Sequence, residues 1–416
     1  MGLKIQDLVA YFNAGAKPKR EWRIGTEYEK FLVQTENNLP IPYDGNAGMG
    51  AILSGLASHR GWREVREGAF VIGLVKDGAS ISLEPGGQFE LSGAPYASLA
   101  GTIAELSNHL DDLQWVQEKF PEVGALWKGF HPTARQEDVS WMPKGRYGIM
   151  REYLPKKGEL GTTMMKRTCT VQANLDYRSE EDAAQKLRVA SVVSPIVTAM
   201  FANSSEVEGQ ESGWASYRQH VWSDVDGDRC GNPSCFLGKD RTKVFACYTE
   251  WALDVPLFFV YRQGTYGEPP GLTFREWMEQ GIDGLYPKIS DWELHLSTLF
   301  PNVRLKKYIE VRSADCVEPE LIPALPTLWR GLLYSDSAMG QIDEEMGDMS
   351  ATELAELYRD ACKHGLEGDW KGRSIRKHAH WLLDVAESGI NDACVNEQDI
   401  EMALSFLKKL RTRISQ

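Results

Sequence analysis

The sequence is poor in cysteine and in cationic side chains, and it has no long apolar run. Seven cysteines in 416 residues, an odd number thinly spread, make no disulfide framework and point to a reducing compartment, with the cytoplasm as the default. Lysine and arginine total 46 against 59 aspartates and glutamates, a net charge of −13. This argues against nucleic acid or an anionic membrane as partner, because phosphate-rich surfaces call for clustered cations. Anionic ligands stay open wherever arginines gather. The longest apolar stretch, SVVSPIVTAMFAN, is broken by Pro195 and falls short of the roughly 18 residues a membrane span requires. MGLKIQDLVAYFNAG lacks the order of a signal peptide and reads as a short amphipathic helix, and Gln6 spoils a myristoylation match. Low-complexity linkers are also missing, so residues 1–345 are expected to form one body, with residues 346–416 a helical C-terminal segment packed on it.

What is present is an ordinary globular balance, 42% hydrophobic and 25% charged, with ample apolar content for a large core. Residues 98–119, SLAGTIAELSNHLDDLQWVQEK, place Leu99, Ile103, Leu106, Leu110 and Leu113 at helical spacing behind a Ser98 cap. EEDAAQKLRVASVVSPIVTAMF predicts a second helix, bent at Pro195. SATELAELYRDACKHG and NEQDIEMALSFLKKLRTR open on capping signals near the C-terminus. Strand-like runs fall around residues 22–34, 70–75, 80–92, 166–177 and 304–313. Strands joined by hairpins and long helical insertions, with no regular strand-helix alternation, predict an α+β fold around an antiparallel sheet.

The strands share a pattern, because side chains at i and i+2 lie on one face of a sheet. Glu27 and Glu29 point one way in RIGTEYEKFLV while Tyr28 and Leu32 point the other. Glu84, Gln88 and Glu90 share parity in SLEPGGQFELS, where Pro85-Gly86-Gly87 is a candidate bulge. Gln172, Asn174 and Asp176 alternate with Val171, Ala173 and Leu175, and Glu310 and Arg312 alternate with Ile309 and Val311. Two readings follow. Each polar face is solvated, as on any half-exposed antiparallel sheet, or the faces converge. In the second case Glu27, Glu29, Glu84, Glu90 and Glu310 repel one another unless cations sit among them. Magnesium suits such a set, since it takes oxygen ligands from a few carboxylates and fills its other positions with water and phosphate.

Arginines stand in suitable places for the phosphate of a cosubstrate. Arg146 and Arg151 lie in WMPKGRYGIMREYLP, read as a Gly- and Pro-punctuated loop. Arg167 opens the third polar strand, and Arg218 lies in SYRQHVWSD. Singly, each is equally well a surface ion pair.

These residues carry a resemblance. The runs IGTEYEKF, SISLEPGGQFELSGAP, MPKGRYGIMREYLP, RTCTVQANLDY, DVDGDR, DVPLFFVYR, FPNVRLKKYIEVRSAD and ALPTLWRGLLY, in that order between residues 20 and 335, resemble the plant and proteobacterial type of glutamate-cysteine ligase (γ-glutamylcysteine synthetase). The C-terminal residues match only weakly. The resemblance implies a glutamine synthetase-like antiparallel β-sheet funnel with surrounding helices. It implies ATP as cosubstrate and two or three Mg2+ ions held by Glu27, Glu29, Glu84, Glu90, Gln172 and Glu310. Arg146, Arg218 and Arg312 become catalytic candidates, and Arg146, Arg167, Arg218, Trp222, Phe258 and Asn174 become substrate- or ATP-binding candidates. The implied chemistry is phosphorylation of the γ-carboxylate of L-glutamate by ATP and attack of an amine, L-cysteine favoured, on the acyl phosphate, the first step of glutathione biosynthesis. A cytoplasmic monomer or weak homodimer is expected.

Departures from the family pattern open alternatives. Positions aligned with the redox-active cysteines of plant members hold Ile103, Pro323 and the cysteine-free segment TYGEPPGLTFREWMEQGIDG, so that regulation is not expected. Phe258 stands where family sequences commonly show tyrosine, which removes a hydroxyl near the acceptor pocket and leaves room for a paralog using a different amine. A non-catalytic glutamate- or nucleotide-binding relative and a phosphotransferase of the same fold are the other readings. Cys230, Cys235 and Cys247, with His220 nearby, loosely resemble a structural zinc site but lack a tight C-x2-C pair, so free thiols or a local disulfide compete with it. His131 and His295 read as packed or capping residues.

Overall fold

A computed structural model describes residues 2–238, 242–268 and 271–416 of the chain. Its centre is a nine-stranded sheet in which every pairing is antiparallel. The strands are β1 (Ile24–Gln34), β2 (Arg63–Glu67), β3 (Phe70–Lys76), β4 (Ala79–Leu83), β5 (Gln88–Ser92), β6 (Val123–Leu126), β7 (Thr170–Leu175), β8 (Val303–Leu305) and β9 (Ile309–Asp315). Their order is β8-β9-β7-β1-β5-β4-β3-β2, with β6 pairing the end of β1. Alternation places Val171, Ala173, Leu175, Ile309 and Val311 in the core. The helices Glu180–Met200 and Ala324–Leu333 pack on β9 and β7, so these strands bury one face and turn the other toward a cavity.

Several elements differ from the sequence expectation. The stretch 80–92 is not one bulged strand but two, β4 and β5, paired so that Ser82 faces Glu90. A tight turn joins them, closed by the Gly87 N–H donating to the Glu84 carbonyl at 2.8 Å. Glycine is required there twice. Gly87 has φ +86°, and a Cβ on Gly86 would lie 2.3 Å from the Lys166 carbonyl oxygen. Residues 304–313 likewise split into the β8–β9 hairpin, and Arg167 ends the helix Gly161–Arg167 rather than opening β7. The run around Arg146 is no loop but the helix Gly145–Tyr153. Gly145 is accommodated because Glu67 accepts its N–H at 2.7 Å while Tyr147 and Met150 are buried; tertiary contacts override weak propensity.

Ser98 does cap Leu99–Lys119, accepting from Gly101 N at 3.3 Å. Glu180–Met200 runs through Pro195 as one element. In the C-terminal segment, Ala351–His364 starts on a Ser350/Glu353 capping box and Glu397–Ile414 on Asn396. Between them Ile375–Ala393 packs on Ala324–Leu333, close enough that a Cβ on Gly389 would lie 2.1 Å from the Gly331 carbonyl.

Candidate active site

The polar face of the sheet borders a cavity of about 250 Å³. Four carboxylates, Glu27, Glu29, Glu84 and Glu90, and four arginines, Arg146, Arg218, Arg304 and Arg312, line it together. Strand register explains the meeting: Glu29 faces Glu90 across β1 and β5, and Glu27 faces Gln172 across β1 and β7. Glu84 arrives from the β4–β5 turn instead. Ser82 Oγ ties the two sources, lying 3.1 Å from Glu90 Oε2 and 3.4 Å from Glu84 Oε1. Asn174 Nδ2 donates to Glu27 Oε1 at 2.7 Å, and Thr170 N to Glu29 Oε2 at 2.9 Å.

Among the described residues none of these four carboxylates makes an ion pair, although Arg218 and Lys144 act on Glu29 and Glu90 from a distance. Burial, then Glu84 and Glu27, push Glu90 up to about 8. Burial, then Glu90 and Glu84, hold Glu29 well above the usual carboxylate range. Glu27 is raised as well, by burial and by Glu310. Such a set favours a divalent cation over protons. Among the described residues, however, no three His, Cys, Asp or Glu side chains converge into a ready-made metal centre. The carboxylates come in pairs, an arrangement that suits magnesium, which binds through one or two carboxylates and completes its shell with water and phosphate oxygens.

Glu310 stands apart from this set and corrects its expected role as a metal ligand. It is fully buried and engaged by Arg304 (2.5 Å), Lys306 (3.0 Å) and Arg312 (2.5 Å). Although burial opposes ionisation, those cations hold its carboxyl well below the usual range. Its lone pairs thus serve arginines, which it orients from beneath the cavity wall. Arg312 Nη1 also donates to Gln172 Oε1 at 2.8 Å. Arg218, 2% exposed, gives Nη2 to the Arg312 carbonyl at 2.9 Å, while its Nε and Nη1 have no hydrogen-bond partner. Unsatisfied guanidinium donors beside a cavity call for an anion.

Three expected binding residues, Arg167, Phe258 and Asn174, lie outside the cavity lining. Arg167 is outside the cavity lining, over the Phe130 ring and paired with Glu208 at 3.1 Å. Phe258 is buried beneath the wall, 3.7 Å from the Arg229 guanidinium, and Phe259 borders the cavity in its place. Arg151 lies over Trp141, away from the lining. Trp222 does line the cavity, and Asn174 supports Glu27 from outside it.

Sequence reasoning missed Arg304, whose signal was the cross-strand pairing with Glu310 in the β8–β9 hairpin. It also missed the sulfur-rich wall of Met150, Met164 and Met165. Arg229 and Asp226, from DVDGDR, form a fully buried ion pair at 2.5 Å, and Arg229 also donates to Tyr153 Oη and the Pro256 carbonyl.

The zinc reading is not supported. All seven cysteines are free, Cys235 neighbours Cys247, Cys230 pairs with Phe300 on a separate short strand, and His220 stacks on Trp214 at 3.9 Å. Residues 239–241 of that run, and Pro269 and Pro270 of the cysteine-free segment, lie outside the described residues. His131 Nδ1 accepts from Ala134 N at 3.0 Å and His295 Nε2 meets the Ala252 carbonyl at 2.7 Å, both packed.

Fold and cavity together define an α+β protein with an open antiparallel sheet and a charged ligand cavity on its polar face. The model of Glutamate-cysteine ligase family 2 (GCS2) matches residues 23–414, so the weakly matching C-terminal residues are included, and the chain belongs to that family. Glutamate–cysteine ligase, chloroplastic, of Brassica juncea is 43% identical over 392 residues, covering 93% of this chain and 75% of the relative. Glutamate–cysteine ligase A, chloroplastic, of Oryza sativa subsp. japonica is also 43% identical, with 93% and 78% covered. The crystal structure of the glutamate–cysteine ligase of Francisella tularensis in complex with AMP shares the fold, with a TM-score of 0.53 at 11% identity over 95% of this chain and 82% of that one. The cytoplasmic expectation is overturned by the chloroplastic relatives. A low cysteine count reports a reducing environment, which more than one compartment supplies.

Proposed function

We propose that this chain joins the γ-carboxylate of L-glutamate to the amine of L-cysteine, using ATP and passing through a γ-glutamyl phosphate, the first step of glutathione biosynthesis. The observation that carries this reading is the single cavity lined by Glu27, Glu29, Glu84 and Glu90 on one hand and Arg146, Arg218, Arg304 and Arg312 on the other. Membership of the family and the 43% identical ligases support it.

The free Nε and Nη1 of Arg218 would hold a substrate carboxylate or phosphate oxygen. Arg312, fixed by Glu310 and Gln172, would meet the transferred phosphoryl group without reorganising, which is where electrostatic catalysis gains most. Arg146 would clamp the second anionic group. Glu27, Glu29, Glu84 and Glu90, with the amide oxygen of Gln172, would hold Mg2+, two or three ions; when bound, magnesium offsets phosphate charge and aligns the attacking carboxylate. The acceptor amine then attacks the acyl phosphate, phosphate leaves, and the amide forms, with positioning supplying much of the rate. No side-chain nucleophile enters. We take residues 1–345 as the catalytic body and 346–416 as its helical buttress, a division supported by the packing of Ile375–Ala393 on Ala324–Leu333.

The test is incubation with ATP, magnesium, L-glutamate and a panel of amines, following ADP release and product mass. γ-Glutamylcysteine with ADP is expected. Turnover only with another amine would move the reading to a paralog, and none at all to a binding protein. Glu27→Gln and Arg146→Ala should each lower kcat by about 100-fold or more with the fold intact.

A further inference from the structure

A second cavity, of about 560 Å³, adjoins the first and shares Trp222 and Phe300 with it. Its walls are mostly apolar: Trp214 and Leu237 on one side, and Leu354 and Tyr358 of the C-terminal helix Ala351–His364 on the other. The charged groups around it leave one cation over. Asp226 is neutralised by Arg229 at 2.5 Å, and His220 is stacked flat on Trp214 and held in its neutral form by burial. Exposed Arg359 borders the cavity and makes no ion pair or hydrogen bond among the described residues. Flat apolar walls with a single unpaired guanidinium at the rim match a ligand with an aromatic body and one anionic end.

Two wall residues of the second cavity contact Arg312 of the first. The Trp222 ring lies 5.7 Å from the Arg312 guanidinium. Asn302, another wall residue, accepts the Arg312 N–H on its carbonyl at 3.0 Å and the Gln219 Nε2 donor on its side-chain oxygen at 3.0 Å. Whatever presses on Trp222 or Asn302 therefore bears on the main chain and guanidinium of Arg312.

We propose that this cavity is a regulatory site for a small aromatic carboxylate, seated against Trp214, Trp222 and Phe300 with its carboxylate on Arg359, and that occupancy changes turnover through Arg312. The regulatory half rests on the function proposed above; the binding half does not. Indole-3-acetate is the probe, with indole-3-acetamide as its uncharged counterpart, and binding to the full chain is measured by calorimetry apart from any activity. Saturable one-to-one binding is expected, weakened about tenfold in Arg359→Ala and for the amide, and abolished in Ala355→Trp, whose indole fills the cavity. Neither variant touches the first cavity, so both should keep turnover without the probe, while in the unaltered enzyme the probe should shift the KM for glutamate without competing with ATP. Absence of binding at millimolar probe, binding that survives Ala355→Trp, or simple competition with glutamate would each overturn the proposal. If the chain binds the probe as described but turns over no amine, the enzymatic reading fails and the site stands.

Discussion

Glu29 and Glu90 stand directly opposite each other across β1 and β5, two like charges at the wall of one cavity. Both are raised, Glu90 to about 8, first because burial disfavours the ionised carboxylate and then through neighbouring acids: Glu84 and Glu27 act on Glu90, and Glu90 and Glu84 act on Glu29. The pair is tolerable to the fold because Ser82, Ser92 and the Thr170 N–H donate to it, and it becomes favourable when a cation arrives.

Magnesium should therefore stabilise the folded chain even without substrates. Differential scanning calorimetry at pH 7.5 should show Tm rising with magnesium concentration, as expected for a ligand that binds only the native state. Glu90→Gln should raise Tm in the absence of metal and lose most of the magnesium response. An unchanged response in Glu90→Gln would remove this carboxylate from the metal site.

Lys30 gives a pH dependence of its own. It is fully buried among the rings of Tyr28, Phe89 and Trp127, donates to His109 Nε2 at 2.6 Å, and is lowered by burial to about 7 from the ordinary 10.5. Between those values the unfolded chain binds the proton and the folded chain does not, so this group makes stability rise with pH from about 7 toward 10.5. Below that window both states are protonated and its effect is constant. Urea unfolding across the range should lose that rising component in Lys30→Met.

The Asp226–Arg229 pair is a structural anchor of the cavity wall. Arg229→Met would leave Asp226 buried and uncompensated and release Tyr153 and the Pro256 carbonyl. A loss of about 3–5 kcal/mol is expected in urea unfolding. A loss below about 1 kcal/mol would show that Asp226 escapes to water in the variant.

Gly86→Ala tests the turn that delivers Glu84. The new methyl would overlap the Lys166 carbonyl, and moving that backbone should cost about 1–3 kcal/mol. Because Glu84 sits two residues away, the variant should also raise the magnesium concentration needed for half-maximal turnover. Normal magnesium dependence would detach the turn from the site.

Legibility in the sequence followed the range of the physics. The parity that put Glu27 with Glu29 and Gln172 with Asn174 is fixed by the two-residue repeat of a strand, and it carried over to the structure. Glu84 also reaches the cavity with Gln88 and Glu90, as its parity predicted, but by a different route: the chain reverses at Pro85-Gly86-Gly87, and the turn, not a continuous two-residue repeat, delivers it. Helix caps at Ser98, Ser350 and Asn396 were readable for a similar local reason: a side-chain oxygen meets an N–H three residues on.

What the letters alone determined was a kind of surface: an antiparallel sheet with one face of Glu, Gln and Asn, in a chain rich enough in apolar residues to bury the other. Which groups border the cavity was decided only when distant segments packed. That step put Phe259 at the wall and Phe258 behind it, turned Arg167 toward Glu208, and bound Glu310 to Arg304. Backbone geometry repeats over a few residues and so can be read along a strand. A cavity wall depends on contacts between residues far apart in the chain, and no local period encodes them.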